Sequence, residues 1–537
     1  MKSQLKQSWK LFPSWLRFFL IAVFVLGIVF RFVNIDKKIF WFDEVVTSIR
    51  TAGYTEAEVV NHLSGQSILR VNDLLQYQKI NPEKSAIDTL KSLAAEDPQH
   101  SPLYYLITRV WRQALGSSIT VIRSLSVLFS LLIFPAIYWL CLELFASPLV
   151  GIVAGVLVAV SPFHLLYAQE ARQYSLWSAL ILLSSALLLR AMRLQTKKNW
   201  AIYAISLTLG FYIFFFSVII AVGHAIYVAV IEKFRLTQTS IAFLCASSLS
   251  VIAFFPWLWV ILSKQSQLNR VTGWTSVSRS FLELLRSWVG NLGRVFLNTN
   301  MDSIDQFIHF LLLLLIAYAI YFICRDSPQR VYLFILTLIG TTALGLILPD
   351  LILGGARSTI PRYLTPSYLG IELAVAYLLT TKLTRAFGNN RSLRIWQMGM
   401  IALVLGGVLS CAISSTAQIV VSKRLNQENP GVASVINQSP HPLLITNIDV
   451  AHLISLGYSL DPKVRILAEV NCSTCNLNPE TMNQLSPSNI PSGFSDVFLW
   501  VTPSTEDKFI QEVKNISNNQ KILVYQNHGS QIWKLND

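Results

Sequence analysis

About eleven apolar runs, each near the length that crosses a bilayer, constrain this chain more than any other feature. A helix spanning the hydrocarbon needs roughly 20 such residues. The runs lie near 15–33, 119–145, 149–167, 174–193, 200–216, 218–232, 240–263, 306–324, 330–349, 363–382 and 396–420. Hydrophobic residues make up 53% of the 537 and charged ones only 13%, with a mean hydropathy of +0.50. A soluble domain of this composition would expose far too much apolar surface, so the expected fold class is a polytopic α-helical membrane protein. The first run follows Lys2, Lys6 and Lys10 and lacks a small-residue cleavage site, which reads as an uncleaved signal anchor.

Charge orients the runs. The net charge of +14 would suggest nucleic acid in a soluble chain, but membrane proteins gather Lys and Arg on cytoplasmic loops. With the N-terminus inside, the inner loops hold Arg190/Arg193/Lys197/Lys198, Lys233/Arg235, Arg325/Arg330 and Lys382/Arg385/Arg391/Arg394. Residues 34–118, 264–305, 350–362 and the chain beyond about 420 then lie outside, as expected for a multi-pass membrane protein. Arg172, Arg357 and Arg362 remain in short outer loops, where that bias does not put arginine; an anionic partner such as phosphate would explain them.

The long outer loop is expected to be structured. Ser101-Pro102 starts a helix in which Leu103, Leu106, Ile107, Val110, Trp111 and Ala114 form one face and Tyr105, Thr108, Arg109 and Arg112 the other. Such a helix suits a membrane surface, and a second is expected through Ala57–Tyr77. The tail changes character: Leu443–Ile445, Val464–Leu467, Val497–Val501 and Ile522–Tyr525 are short apolar runs between turn signals, and Ile532–Leu535 pairs with the last of them as a hairpin. The expected division is 1–420, a transmembrane catalytic domain whose first outer loop (34–118) carries juxtamembrane helices, and 421–537, a small extracytoplasmic α/β domain. Cys472 and Cys475, a C-x-x-C in this polar tail, are disulfide candidates. Cys141, Cys245, Cys324 and Cys411 lie in or beside apolar runs and read as core residues.

Acids at the edge of the hydrocarbon are costly unless they pair, meet water or do work. Asp43-Glu44, in Phe40-Trp41-Phe42-Asp43-Glu44, follows the first run by about ten residues. His100-Ser101-Pro102-Leu103-Tyr104-Tyr105 precedes the second run. Ser161-Pro162-Phe163-His164 leads to Gln169-Glu170-Ala171-Arg172-Gln173-Tyr174, and Pro361-Arg362-Tyr363-Leu364 opens the tenth. In this order the motifs resemble bacterial GT-C glycosyltransferases of the family 39-like branch, relatives of protein O-mannosyltransferases and of the lipid A aminoarabinose transferase. The resemblance covers roughly residues 10–420 and not the tail.

The resemblance implies an integral membrane enzyme that moves a sugar from a polyprenyl-phosphate donor to a hydroxyl of a protein, lipid or glycan on the extracytoplasmic face. Under it Asp43 is the general base of an inverting transfer, with Glu44 as its orienting neighbour and Glu170 as a second acid; the bland alternatives are a hydrated surface acid and a Glu170–Arg172 ion pair. Arg362, Arg172 and Arg357, with the Tyr363 hydroxyl, are donor phosphate ligands, against which stands headgroup snorkelling. His100, Tyr104 and Gln169 are substrate-binding candidates, although Ser101 replaces the first proline of the His-Pro-Pro-like element of the mannosyltransferases. No cofactor or metal is expected, since the acids lack a strong ligand motif such as H-E-x-x-H; the aminoarabinose branch leaves a divalent ion open. Neither a P-loop nor a Rossmann glycine pattern is present, which argues against nucleotide-driven chemistry. Two other functions stay open: a ligase or polymerase of lipid-diphosphate-linked glycans, and a lipid-linked-sugar transporter or flippase. A transporter would be expected to show polar or broken midplane helices and a repeated half, which the sequence lacks.

Overall fold

The computed structural model describes residues 12–64, 68–299, 301–385, 390–418, 424–472, 475, 493–501, 521–527 and 530–535. The basic stretch at Lys2, Lys6 and Lys10 and the residues His528 and Gly529 lie outside the described residues.

Every expected apolar run falls on a helix or a closely spaced helix pair. Among the described residues six helices are long and apolar enough to cross a membrane by themselves: Ile119–Phe145, Tyr174–Leu194, Gln238–Ser263, Ile304–Asp326, Gln329–Leu353 and Arg391–Thr416. Ser14–Phe30 and Ser217–Ile231 are apolar but shorter. Thr365–Arg385 is buried along most of its length, against neighbours on several sides. Phe18, Ile252, Trp259, Ile352 and Leu353 are exposed on the outside of the bundle, an apolar surface suited to lipid rather than water.

The run near 149–167 is not one rod. Helices Pro148–Ala159 and Pro162–Ala168 meet at 65°. Pro162 has no N–H to continue the first helix, and Ser161 accepts from the His164 amide to start the second. The bend delivers the following loop, 169–173, to the end of the bundle where residues 34–118 sit.

The 34–118 segment is ordered as expected, with two differences. Helix Leu103–Leu115 has its polar face turned inward: Thr108, Arg109 and Arg112 are buried, whereas Val110 and Leu115 are exposed. Arg109 donates to the Thr51 carbonyl, and Arg112 to the carbonyl of Ser48. The apolar face is thus free for a bilayer. The helix expected through Ala57–Tyr77 is broken instead. Glu56–Ser64 is helical, but Leu69–Arg70 pairs as strand β1 with the tail before a short helix, Val71–Leu75.

The tail builds a sheet of order β1-β3-β2-β4-β6-β5, where β2 is Pro442–Thr446, β3 Arg465–Ala468, β4 Asp496–Val501, β5 Lys521–Asn527 and β6 Ser530–Leu535. The strands β3, β2 and β4 run parallel, and β5 and β6 pair as the expected hairpin. Alternation along the strands splits the faces. Leu443, Ile445 and Leu499 form one small core. Leu444, Ile466, Phe498, Trp500 and Ile532 belong to a larger one shared with Val45, Ile49, Val59 and Leu74 of the first loop. Helix Val450–Gly457 lies in this core and packs on helix Phe42–Ala52.

Candidate active site

Helix Phe42–Ala52 begins at the end of the bundle and carries Asp43 and Glu44 in its first turn. Successive helix positions point about 100° apart, from 3.6 residues per turn, and these neighbours separate accordingly. Asp43 faces two guanidinium groups: its Oδ2 lies 3.2 Å from Arg362 Nη1 and 3.9 Å from Arg172 Nη2. The three come from the first long loop, the 169–173 loop and the short 3₁₀ turn Pro361–Leu364.

Both arginines are set in aromatic and polar frames. Arg362 stands 5.7, 5.8 and 5.6 Å from the ring centroids of Trp41, Tyr174 and Tyr363, close enough for cation–π attraction. Arg172 is almost fully buried; its Nη1 donates to Thr47 Oγ1 at 2.8 Å and to the Tyr105 hydroxyl at 3.2 Å. Its Nη2 is 3.1 Å from His100 Nε2. Burial and then the Arg172 charge push the His100 imidazole down to about 3, so the ring is neutral and accepts at Nε2. Its Nδ1 lies 3.4 Å from Gln173 Nε2.

Glu44 does not face this space. It is fully buried, and Arg123 grips it with Nε at 2.8 Å and Nη2 at 2.7 Å. It also accepts from the Ala171 amide at 2.8 Å, while Arg123 collects the carbonyls of Ile35, Lys38 and Ile39. Glu44, expected as the neighbour that orients Asp43, makes a structural contact instead. A buried bidentate pair ties the 35–39 turn, helix Ile119–Leu131 and the loop that presents Arg172.

Three further expectations change. Gln169 donates to the carbonyls of Phe30 and Val33 at 2.9 and 2.8 Å and accepts from Lys38, holding the end of the first helix. Tyr104 is buried with its hydroxyl 3.0 Å from Ser126 Oγ; it is Tyr105, one position on, that meets Arg172. Arg357 pairs with Asp350 at 3.2 Å and donates to Ser276, away from Asp43. Glu170 is buried beside Tyr167, and Arg172 turns its guanidinium to Asp43, Thr47, Tyr105 and His100 rather than to its neighbour. Tyr363 packs edge-on to Phe216 at 4.8 Å while its ring backs Arg362.

A second charged cluster supports the His100 loop. Arg50 is buried among Glu56 at 2.6 Å, Glu96 at 2.5 Å and Asp97 at 2.7 Å. Glu96 also accepts from the amides of Glu56 and Ala57, capping helix Glu56–Ser64. Three carboxyls share one guanidinium. Burial pushes Glu56 up to about 8 despite Arg50. The charged form of Asp97 is also disfavoured by burial, but Arg50 outweighs this and holds it below the usual carboxylate range. Cys472 and Cys475 form a disulfide beside this cluster. Among the described residues the group of potential metal ligands that converges is Glu56 with these two cysteines; Asp43, Glu44, His100 and Glu170 do not form one.

Comparison with known proteins fits this geometry. Residues 99–260 match the model of a family described as dolichyl-phosphate-mannose-protein mannosyltransferase. ArnT from Cupriavidus metallidurans in the apo state superposes over 97% of this chain and 98% of its own, with a TM-score of 0.56 and 11% identity. The same protein bound to undecaprenyl phosphate gives 0.53 at the same coverage and identity. Compared by sequence with curated proteins, the chain matches none. Residues 99–260 thus carry that family's signature, and the whole chain shares the fold of ArnT, with helices long and apolar enough to cross a membrane. The segment recognised by sequence holds His100, Glu170 and Arg172 but neither Asp43 nor Arg362, which join them through the fold.

Proposed function

We propose that this enzyme transfers a sugar from a polyprenyl-phosphate donor to a hydroxyl of a protein, lipid or glycan acceptor, with inversion, at the extracytoplasmic face of the bacterial inner membrane. The observation that carries the reading is the Asp43 carboxylate held between Arg362 and Arg172 at the end of an apolar bundle. A lipid phosphate brings an apolar chain and an anionic head, and this place offers lipid-facing helices and two fork-shaped cations. The lipid bound in the ArnT complex, undecaprenyl phosphate, is of that chemistry.

Asp43 occupies the arginines until the donor arrives. Phosphate oxygens then take over Arg362 and Arg172, and the carboxylate is released to accept a proton. The acceptor O–H loses that proton to Asp43 as its oxygen bonds to the anomeric carbon. The bond from that carbon to the phosphate oxygen breaks on the opposite face, and its electron pair leaves with the lipid phosphate. The two guanidiniums and the Tyr105–Thr47 frame hold the charge that develops there. Glu170 is a second acid beside this space, His100 fixes Arg172, and residues beyond about 420 stand outside the catalytic bundle on the same face.

Purified protein in lipid nanodiscs, given radiolabelled polyprenyl-phosphate sugars and host extract as acceptor, tests the reading beside Asp43→Asn. Transfer by wild type alone, with donor binding kept in the variant, is the expected result; general-base removal commonly costs about 10²–10⁴ in rate. Equal transfer by the variant would remove Asp43 as the base. Wild-type transfer from diphosphate donors alone would replace the donor class.

A further inference from the structure

We infer that residues 426–458 position Asp43, by supplying from the tail the cap that its own helix lacks. This rests on the reading of Asp43 as the base. The N-cap residue of helix Phe42–Ala52 is Trp41, extended at φ −88° and ψ 173°, and it makes no side-chain cap. An indole has no acceptor, so it cannot do what Ser, Thr, Asp or Asn does at that place. The first amide of the helix, Phe42 N–H, donates instead to Asn426 Oδ1 at 2.8 Å. Asn426 is 1% exposed and enters from nearly four hundred residues away.

The same region holds the preceding turn at a second point. Ser455 Oγ donates to the Phe40 carbonyl at 2.7 Å and accepts from Asn429 Nδ2 at 2.9 Å. The Phe40 ring meets Tyr458 at 5.1 Å, and the Phe42 ring meets His452 at 4.9 Å. The carbonyl before Trp41, the amide after it and both flanking rings are thus gripped by the tail. The Asp43 carboxylate, next along, faces arginines carried by the bundle. Its distance to the donor phosphate is set where two parts of the molecule meet. Asn426 and Ser455 are positioning residues: they touch neither substrate nor reacting atoms. A displacement near 1 Å in such a group costs about 10² in rate.

The test uses full-length protein in nanodiscs and compares Asn426→Ala, Asn426→Asp, Ser455→Ala and Asp43→Asn. Two readouts are taken: hydrogen exchange at the Phe42 amide, and kcat and KM for donor. Asn426→Asp keeps the acceptor and adds a charge favoured at a helix N-terminus. Expected for Asn426→Ala is exchange faster by about tenfold and kcat lower by roughly ten- to a hundredfold with donor KM little changed. Asn426→Asp should restore both, and Ser455→Ala should move both in the same direction as Asn426→Ala. Unaltered Phe42 exchange and kcat in Asn426→Ala, beside an inactive Asp43→Asn, would overturn the cap and leave the base standing. Asn426→Asp as impaired and as thermally labile as Asn426→Ala would also overturn it, because the residue would then be needed for bulk and not for its acceptor. Full transfer by Asp43→Asn would instead remove the base, while Phe42 exchange still decides the cap.

Discussion

Arg362 shows what one side chain must do in two states. Without donor it balances Asp43 at 3.2 Å and lies against Trp41, Tyr174 and Tyr363; with donor it takes a phosphate. A lysine would keep the charge but lose the planar fork and the stacking surface. Arg362→Lys should therefore weaken donor binding by about tenfold, the worth of roughly 1.4 kcal/mol, and titration of the purified variant with polyprenyl phosphate measures it. Unchanged affinity would remove Arg362 from the phosphate site. Glu44 calls for the opposite experiment. Removing one partner of a buried ion pair leaves an uncompensated charge at a cost of about 3–5 kcal/mol, so Arg123→Ala should fail as folded protein before it fails as an enzyme. Size-exclusion chromatography and thermal unfolding read that directly; a well-folded, stable Arg123→Ala would show that Glu44 is not the anchor its contacts describe. At this scale sequence picks out charged residues stranded at helix ends, which is why Asp43, Arg172 and Arg362 were legible. It does not give the direction a side chain takes, so Glu44, expected to orient the base, and Gln169 and Tyr104, expected at the substrate, each point into a structural contact, while Tyr105 and Thr47 meet Arg172.

The apolar runs were legible as helices because length and hydropathy are local properties. What broke or redirected them was often local too, once the cap was considered: Ser161 with Pro162 bends the run near 149–167 and so brings Arg172 to Asp43. The interruption of the helix expected through Ala57–Tyr77 was not legible, because β1 exists by pairing with Arg465–Ile466, far away in sequence. Helix Glu56–Ser64 carries a prediction of its own. Glu56 is pushed up to about 8, above the ordinary carboxyl value of about 4.3. The folded state therefore holds this proton where the unfolded chain has lost it. The contribution is full below about pH 4.3 and is lost as pH rises through about 8. Asp97, held low, has the reverse sign: its contribution is present above the ordinary carboxyl range and lost as pH falls through its own folded value. Between about pH 5 and 9 the Glu56 effect dominates. Melting temperature should fall across that window in the wild type, and fall less in Glu56→Gln, which resembles the protonated acid. Parallel curves for the two proteins would show that Glu56 carries no extra proton.

On the scale of the whole molecule, the tail looks separable in sequence and is not separable in its contacts. The change of composition near residue 420 is real, and the strands beyond it were legible from their alternation. Yet the first long loop contributes β1 to the sheet, and the larger core of that region takes Val45, Ile49, Val59, Leu69 and Leu74 from the loop and Leu444, Val450, Ile454 and Ile466 from the tail. Such sharing follows from pairings hundreds of residues apart, which no window along the chain can show. Its consequence is testable by truncation. A chain ending at residue 418 would expose those loop side chains, each worth about 1.5–3 kcal/mol when buried, and would leave Arg70 and Leu69 without a neighbouring strand. The truncated protein should give an aggregated or polydisperse peak in detergent and no sugar transfer, whereas a detachable acceptor-guiding module would leave a monodisperse bundle with donor binding intact. Expressing the two pieces together decides whether the loss is of contact or of covalent linkage. If the tail acts by packing on helix Phe42–Ala52 and holding Phe40 and Phe42, co-expression should recover a single complex and part of the transfer. Recovery of donor binding without a complex would mean that the bundle forms its site alone.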